Sequence, residues 1–117
     1  MKKKYLIVIA DYYEDISKGL LDSAIKLIPK SSTIKIIRVP GACEIPVTIS
    51  KNIKKYDGFL ALGCIIKGET PHFDFISKAS TNAIMDLSVT SKKPIGNGII
   101  TCLTMYQAKV RKKKGAE

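Results

Sequence analysis

The residue in this sequence best suited to proton chemistry is His72, the only histidine in the chain. It ends a loop, residues 67–72, in which Thr70 and Pro71 are typical of a helix start, with a hydroxyl cap followed by proline at the first helical position. A helix start offers free N–H groups and partial positive charge to an anion. Because Pro71 has no N–H, we expect the amides of Glu69 and Thr70 and the Thr70 hydroxyl to hold such an anion.

The position of His72 suits it to general acid–base catalysis. We predict that it occupies the second position of this helix, where the helix dipole disfavours the imidazolium cation. A neutral imidazole beside a bound anion can carry a proton to and from a substrate near neutral pH. The alternative interpretation is an ordinary capped helix with a surface histidine, and the loop alone does not exclude it.

Three other segments carry residues that could bind an organic ligand. Gly41-Ala42 leaves room for a ligand at the backbone, and Glu44 lies in a predicted first helical turn, where an acid is favoured. Tyr12-Tyr13 could stack on a flat heterocycle. Asn97 stands between two glycines, which indicates a bulge or a close neighbour. Each has a purely structural alternative: a helix-start acid, two aromatics at the core rim, an irregular strand.

The elements that must position these residues alternate between strand and helix. The continuous apolar run 5–10 is typical of a strand buried on both faces. A helix is predicted after this strand, and Pro29 ends it. Ile25 belongs to the predicted apolar face of this helix. Ala79 belongs to the predicted buried face of the third helix. We predict strands over 5–10, 33–39, 58–64 and 94–102, and helices over 15–28, 42–53, 70–87 and 104–111.

This alternation predicts an α/β fold with right-handed crossovers and a parallel sheet covered by helices. Ligands of such folds bind at the carboxyl ends of the strands. The loops expected there are 10–15, 39–46, 64–72 and 95–104. Neither a G-x-G-x-x-G motif after the first strand nor a Walker loop is present, which disfavours dinucleotide and P-loop functions.

The net charge of +10 invites a nucleic-acid interpretation, but eight of the 20 basic residues lie at the two ends. The remaining 12 face 10 acidic residues, so we predict no nucleic-acid partner. A basic nucleic-acid-binding module stays an alternative, and its binding should fall steeply with salt. Three cysteines without a C-x-x-C pair predict reduced thiols and a cytoplasmic protein without a metal site. No apolar run is long enough for a membrane span.

Three stretches together resemble the lumazine synthases: VPGACEIP at 39–46, ALGCIIKGETPHFD at 61–74 and PIGNGIIT at 94–101. The resemblance implies one domain over 1–117, with a short or missing C-terminal helix, folded as a flavodoxin-like α/β/α sandwich with a four-stranded parallel sheet. It also implies a transferase of riboflavin biosynthesis that needs no cofactor or metal. Such an enzyme condenses 5-amino-6-(D-ribitylamino)uracil with 3,4-dihydroxy-2-butanone 4-phosphate to give 6,7-dimethyl-8-ribityllumazine. A non-catalytic lumazine- or flavin-binding protein is the second hypothesis.

The resemblance implies a role for each candidate residue, with His72 as the general acid and base and Tyr12 stacked on the pyrimidine. Asn97 and Arg111 would come from the neighbouring subunit of a homopentamer, or of a larger assembly of pentamers. Asn97 and Cys43 replace aromatic residues that are common in the family. The implied contacts of the other residues are the ribityl chain for Gly41, Ala42, Cys43 and Glu44, the pyrimidine for Cys64, Ile65 and Ile66, and the phosphate for Glu69, Thr70 and Arg111.

Overall fold

The computed structural model describes residues 2–69 and 72–111. In this part of the chain, strands and α-helices alternate four times. Short 3-10 turns at Ala42–Glu44 and Lys67–Glu69 lead toward the second and third helices. The elements are β1 (Lys4–Ala10), α1 (Glu14–Leu27), β2 (Thr33–Val39), α2 (Ile45–Lys51), β3 (Gly58–Ile66), α3 (Phe73–Ser91), β4 (Ile95–Cys102) and α4 (Met105–Arg111).

The four strands form one parallel sheet, as predicted, and their order in the sheet is β2-β1-β3-β4. Val8 at the centre of β1 pairs with Ile37 of β2 on one side and with Ala61 of β3 on the other. β1 and β3 are buried along most of their length because they are central strands with helices on both faces. β2 and β4 form the edges and are more exposed.

Helices cover both faces of the sheet, which gives the three layers of a flavodoxin-like α/β/α sandwich. On one face, α2 and α3 bury Ile45, Ile49 and Ile84 against Val8 and Ala61. On the other face, α1 buries Leu21 and Ala24 against β1 and β3. α1 also packs there with α4, in a cluster that contains Ile16, Leu20, Ile66, Cys102 and Ala108. No helix in the described ranges is long and apolar enough to cross a membrane.

The start of α3 differs from the prediction. α3 begins at Phe73, and His72 is its N-cap residue, with φ −113° and ψ 32°, rather than the second residue of the helix. The predicted cap at Thr70-Pro71 lies outside the described residues. The chain first makes the 3-10 turn Lys67–Glu69, so the regular helix starts later than the capping pattern indicates.

Four further predictions of detail are wrong. Ile25 is 40% exposed because it lies beyond one edge of the arc that Ile16, Leu20 and Ala24 bury. Ala79 is likewise exposed, and its neighbour Ser80 is buried instead. β3 continues two residues beyond the predicted strand, so residues 65 and 66 are strand rather than loop, because the ladder with β4 extends to Ile66. Residues 95–102 form the strand predicted over 94–102, so the loop expected over 95–104 begins only after Cys102.

Candidate active site

A cleft of about 390 Å³ opens at the carboxyl ends of β1, β2 and β3. Parallel strands all end at the same edge of a sheet, so the segments that follow these three strands meet there. Nine of the candidate residues, together with Tyr13 and Ile76, form its wall. The lining residues are Tyr12, Tyr13, Gly41, Ala42, Cys43, Glu44, Cys64, Ile65, Ile66, Glu69 and Ile76.

Two tyrosines between β1 and α1 form the aromatic wall of the cleft. The rings of Tyr12 and Tyr13 meet edge to face, with centroids 4.8 Å apart and an interplanar angle of 84°. Tyr12 is 73% exposed, so one face of its ring is accessible to a planar ligand. Burial raises the pKa of the Tyr13 phenol, and the Glu69 carboxylate adds to this effect. Tyr13 therefore presents a protonated hydroxyl that can donate a hydrogen bond.

The last residues of β3 form the apolar wall. Ile65 and Ile66 are buried on opposite faces of the sheet, Ile65 in the core cluster that contains Ala42 and Ile66 in the cluster that contains Leu20. Cys64 is half-buried, and burial raises the pKa of its thiol to about 12, with a further contribution from Cys102. The Cys64 side chain is therefore a neutral contact surface and unsuited to nucleophilic catalysis near neutral pH.

The loop between β2 and α2 brings a carboxylate next to bare backbone. The Glu44 N–H donates to the Gly41 carbonyl at 3.2 Å, which closes the 3-10 turn, and the Thr48 hydroxyl donates to the Glu44 carbonyl at 2.8 Å. A methyl group added to Gly41 would lie 3.2 Å from Glu44 Oε1. The missing side chain thus leaves space at the carboxylate, which can accept hydrogen bonds from ligand hydroxyls.

His72 lies where α3 meets the cleft. Its carbonyl accepts the Ile76 N–H at 2.9 Å, and Ile76, one turn into the helix, lines the cleft. Glu69 lines the cleft on the other side of His72 in sequence. The His72 side chain is exposed and makes no capping hydrogen bond to the helix. The helix start thus adjoins the cleft through Ile76, but His72 itself is not among the residues that line the cleft.

Asn97 and Arg111 do not line this cleft. Asn97 lies in the middle of edge strand β4, opposite Ala61, and its Oδ1 accepts the Ile99 N–H at 3.0 Å. Arg111 ends α4, and its Nη1 donates to the Thr101 carbonyl at 2.9 Å. Both side chains are exposed. The cleft of a single chain therefore forms without them.

Sequence reasoning did not count Tyr13 and Ile76 among the binding residues. The pattern predicts stacking for Tyr12 and Tyr13 together without favouring Tyr13, and it places Ile76, like Ala79, on the buried face of the third helix. The usable signal was the position of Ile76, four residues after His72, in the first turn of the helix that borders the cleft. Within the described ranges, no three His, Cys, Asp or Glu side chains are grouped closely enough to hold a metal ion.

Known proteins that resemble this chain share one activity in their names. Residues 2–117 match the family model of 6,7-dimethyl-8-ribityllumazine synthase. The chain is 45% identical over 120 residues to 6,7-dimethyl-8-ribityllumazine synthase 1 of Rhodopseudomonas palustris, which covers 96% of this chain and 74% of that protein. The enzyme of Agrobacterium fabrum is 42% identical over 120 residues, 95% of this chain and 81% of its own length. That of Bartonella bacilliformis is 46% identical over 115 residues, 94% and 76%. Both the match along the whole chain and these identities show that the chain belongs to the 6,7-dimethyl-8-ribityllumazine synthase family.

Proposed function

We propose that the chain catalyses the formation of 6,7-dimethyl-8-ribityllumazine from 5-amino-6-(D-ribitylamino)uracil and 3,4-dihydroxy-2-butanone 4-phosphate, a transferase step in riboflavin biosynthesis. The observation that carries the proposal is the convergence of three separate segments on one cleft, which contains nine of the residues expected to contact the substrates. Membership of the family supports the same activity.

The pyrimidine substrate is proposed to lie between Tyr12 and the wall formed by residues 64–66. The exposed Tyr12 ring supports stacking on the heterocycle, and the neutral Cys64 supports an apolar contact. The ribityl chain would extend along residues 41–44, with its hydroxyls donating to the Glu44 carboxylate. A cleft of about 390 Å³ lies within the range of ligand sites, roughly 300–1,000 Å³.

The reaction is proposed to need proton transfer and positioning rather than a protein nucleophile. The amine of the pyrimidine attacks the ketone and loses water to form an imine, phosphate is eliminated, and the ring closes with loss of water. Each step moves protons, and we assign that role to His72 because it is exposed and its carbonyl accepts the N–H of Ile76, a residue that lines the cleft. The phosphate would be held by Glu69 and Thr70 through backbone and hydroxyl, and by Arg111 of a second copy.

The active site is proposed to be shared between subunits of a homopentamer, alone or in an assembly of pentamers. Asn97 and Arg111 support this arrangement because both are exposed and lie outside the cleft of their own chain. α3 also presents large apolar side chains to the surface: Phe75 is 73%, Met85 60% and Val89 75% exposed. A helix with this surface is suited to burial against another copy of the chain.

A cytoplasmic location is proposed for the enzyme. Cys43, Cys64 and Cys102 are all free thiols, as expected where the compartment is reducing. Fractionation of source cells, followed by detection of the protein with an antibody, tests this proposal. Recovery from a compartment outside the cytoplasm would contradict it.

The decisive test of the activity is product formation from the two substrates, followed by lumazine absorbance. A no-enzyme control is needed because the condensation also proceeds slowly by itself. We expect turnover above that background, and a decrease of about 10²- to 10⁴-fold, down to the background at most, in His72→Ala, the usual contribution of a general acid–base residue. Lys26→Ala, an exposed change on α1 away from the cleft, should keep full activity.

Each other outcome has a distinct meaning. Turnover that is unchanged in His72→Ala would remove the proposed proton carrier and keep the activity. Background rates with retained binding of the product would indicate a non-catalytic lumazine-binding protein.

The shared site is tested by mixing His72→Ala and Arg111→Ala subunits by co-expression. Each variant alone should be impaired at every site. In a mixed ring, a site is complete when its His72 comes from an Arg111→Ala subunit and its Arg111 from a neighbouring His72→Ala subunit. With random assembly of equal amounts, about a quarter of the sites are complete. Recovery of about that fraction of activity is the expected result. Mixed rings no more active than the separate variants would show that both residues act within one chain.

A further inference from the structure

A second concavity, of about 340 Å³, lies at the opposite edge of the sheet from the cleft, where β1, β3 and β4 begin. Three segments far apart in sequence form it. Residues 2–4 lead into β1, residues 54–57 precede β3, and Lys93 precedes β4. Its lining contains six lysines, with Tyr56 and Asp57.

Hydrogen bonds between backbone and side-chain groups hold these three segments together. The Lys4 N–H donates to Asp57 Oδ2 at 2.7 Å, and the Asp57 N–H donates to the Lys4 carbonyl at 2.7 Å. The half-buried Lys93 ammonium donates to the carbonyls of Ile53, at 2.5 Å, and Tyr56, at 2.8 Å. The concavity is therefore built on fixed backbone, and Lys93 carries its charge at a defined point of the wall.

The charge of the lining is strongly one-sided. Six ammonium groups against the one carboxylate of Asp57 give a formal charge of 6 − 1 = +5. That carboxylate already accepts the Lys4 N–H. Lys93 donates to two carbonyls, whereas Lys2 to Lys4, Lys54 and Lys55 are exposed, with their ammonium groups in reach of a bound anion. A concave surface lined by one sign of charge focuses the potential and attracts counter-charge.

We propose that this concavity binds an oligophosphate anion, either free or as part of a nucleotide. An anion with several phosphates can contact lysines from two or three segments at once, whereas a single phosphate reaches fewer of them. The volume is at the lower end of the range for small-molecule sites, roughly 300 Å³ and above. Tyr56 adds an aromatic ring on which a nucleotide base could stack.

The proposed site is separate from the catalytic cleft. The cleft is formed after the carboxyl ends of the strands and the concavity before their amino ends, and no residue lines both. Oligophosphate binding therefore stands or falls independently of the proposed enzyme activity.

Isothermal titration of the full chain with sodium tripolyphosphate, and in parallel with ATP, tests the proposal at low salt. The site variant is Lys54→Gln/Lys55→Gln, in an exposed turn. The control is Lys26→Gln/Lys30→Gln, which makes the same change of net charge at exposed positions away from the concavity. We expect binding at least about tenfold weaker in the site variant, because two charge-assisted contacts are removed. The control should stay within about twofold, and thermal unfolding should confirm that both variants fold.

The remaining outcomes are equally informative. Tighter binding of ATP than of tripolyphosphate identifies a nucleotide site, and equal binding a site for the phosphate chain alone; both support the proposal. Equal weakening in the site and control variants would indicate general attraction of anions to a basic protein and would overturn it. Loss of binding only in Arg111→Ala would place the probe in the catalytic cleft and overturn it too, as would undetectable binding at millimolar tripolyphosphate.

Discussion

Thiol reactivity offers a sensitive test of how the cleft is built, because two cysteines line it in different surroundings. Cys43 is exposed, whereas Cys64 is half-buried in the wall and has its thiol pKa raised to about 12, by burial first and by Cys102 second. Thiol–disulfide exchange requires the thiolate. We therefore predict that a disulfide reagent such as dithiodipyridine modifies Cys43 first and reaches Cys64 much more slowly.

The size of the effect on Cys64 follows from two opposing terms. A rise in pKa from 9.0 to about 12 lowers the thiolate fraction near neutral pH about a thousandfold. The thiolate that remains is more nucleophilic, and a Brønsted slope of about 0.4–0.5 recovers roughly 15- to 30-fold. The net result is a rate roughly 30 to 60 times lower than for the same thiol in the unfolded chain, before any steric protection.

The assay uses Cys43→Ser, in which the early reaction of Cys43 is removed. Timed quenching at pH 7.5, digestion and mass spectrometry give the rate at Cys64 in the native protein and in the same variant unfolded in urea. A ratio of about 30 or more is expected. A native Cys64 that reacts within a few-fold of the unfolded one would refute the buried, proton-bound thiol and with it this description of the pyrimidine wall.

Three further predictions concern stability. Ile45→Ala, at a fully buried position under the cleft loop, should lower the free energy of unfolding in urea by about 2–5 kcal/mol. The control Val47→Ala, 50% exposed on the same helix, should change this free energy by no more than about 0.5 kcal/mol. Similar losses in both variants would contradict the packing of α2. Ser17→Ala should cost about 1–2 kcal/mol in the same assay, because the buried Ser17 hydroxyl donates to the Ala10 carbonyl at 2.8 Å, and an unchanged midpoint would mean that this bond adds nothing. Because the pKa of Cys64 is raised in the folded protein, the unfolded chain loses the thiol proton first as the pH rises. The stabilisation from this group should therefore be fully present below about pH 9 and be lost as the pH rises toward about 12. The raised pKa of Tyr13 acts in the same direction. Thermal unfolding across this range should show a smaller decline in Cys64→Ala, and an equal decline in both proteins would assign the effect to other groups.

Local pattern was sufficient to predict the elements and their alternation. The apolar run 5–10 became the central strand β1. Thr104, where the last helix is predicted to begin, caps α4, with its hydroxyl accepting the Gln107 N–H at 3.3 Å. These features depend on contacts between residues close in sequence, so periodicity and capping residues reveal them. The error at α3 also comes from relying on a local pattern. The capping pattern at Thr70-Pro71 predicted a helix start there, but the chain makes the 3-10 turn Lys67–Glu69 and α3 begins at Phe73.

The candidate residues, their types and their loops could be named from the sequence, but which of them meet was decided by the strand order. With β1 between β2 and β3, the segments after these three strands close one cleft, whereas β4 at the edge carries Asn97 away from it. The same long-range pairing brings Lys4 and Asp57 into contact across 53 residues and so assembles the lysine-lined concavity. Strand order and the meeting of distant segments result from burying both faces of one sheet, a property of the whole chain that no local pattern contains.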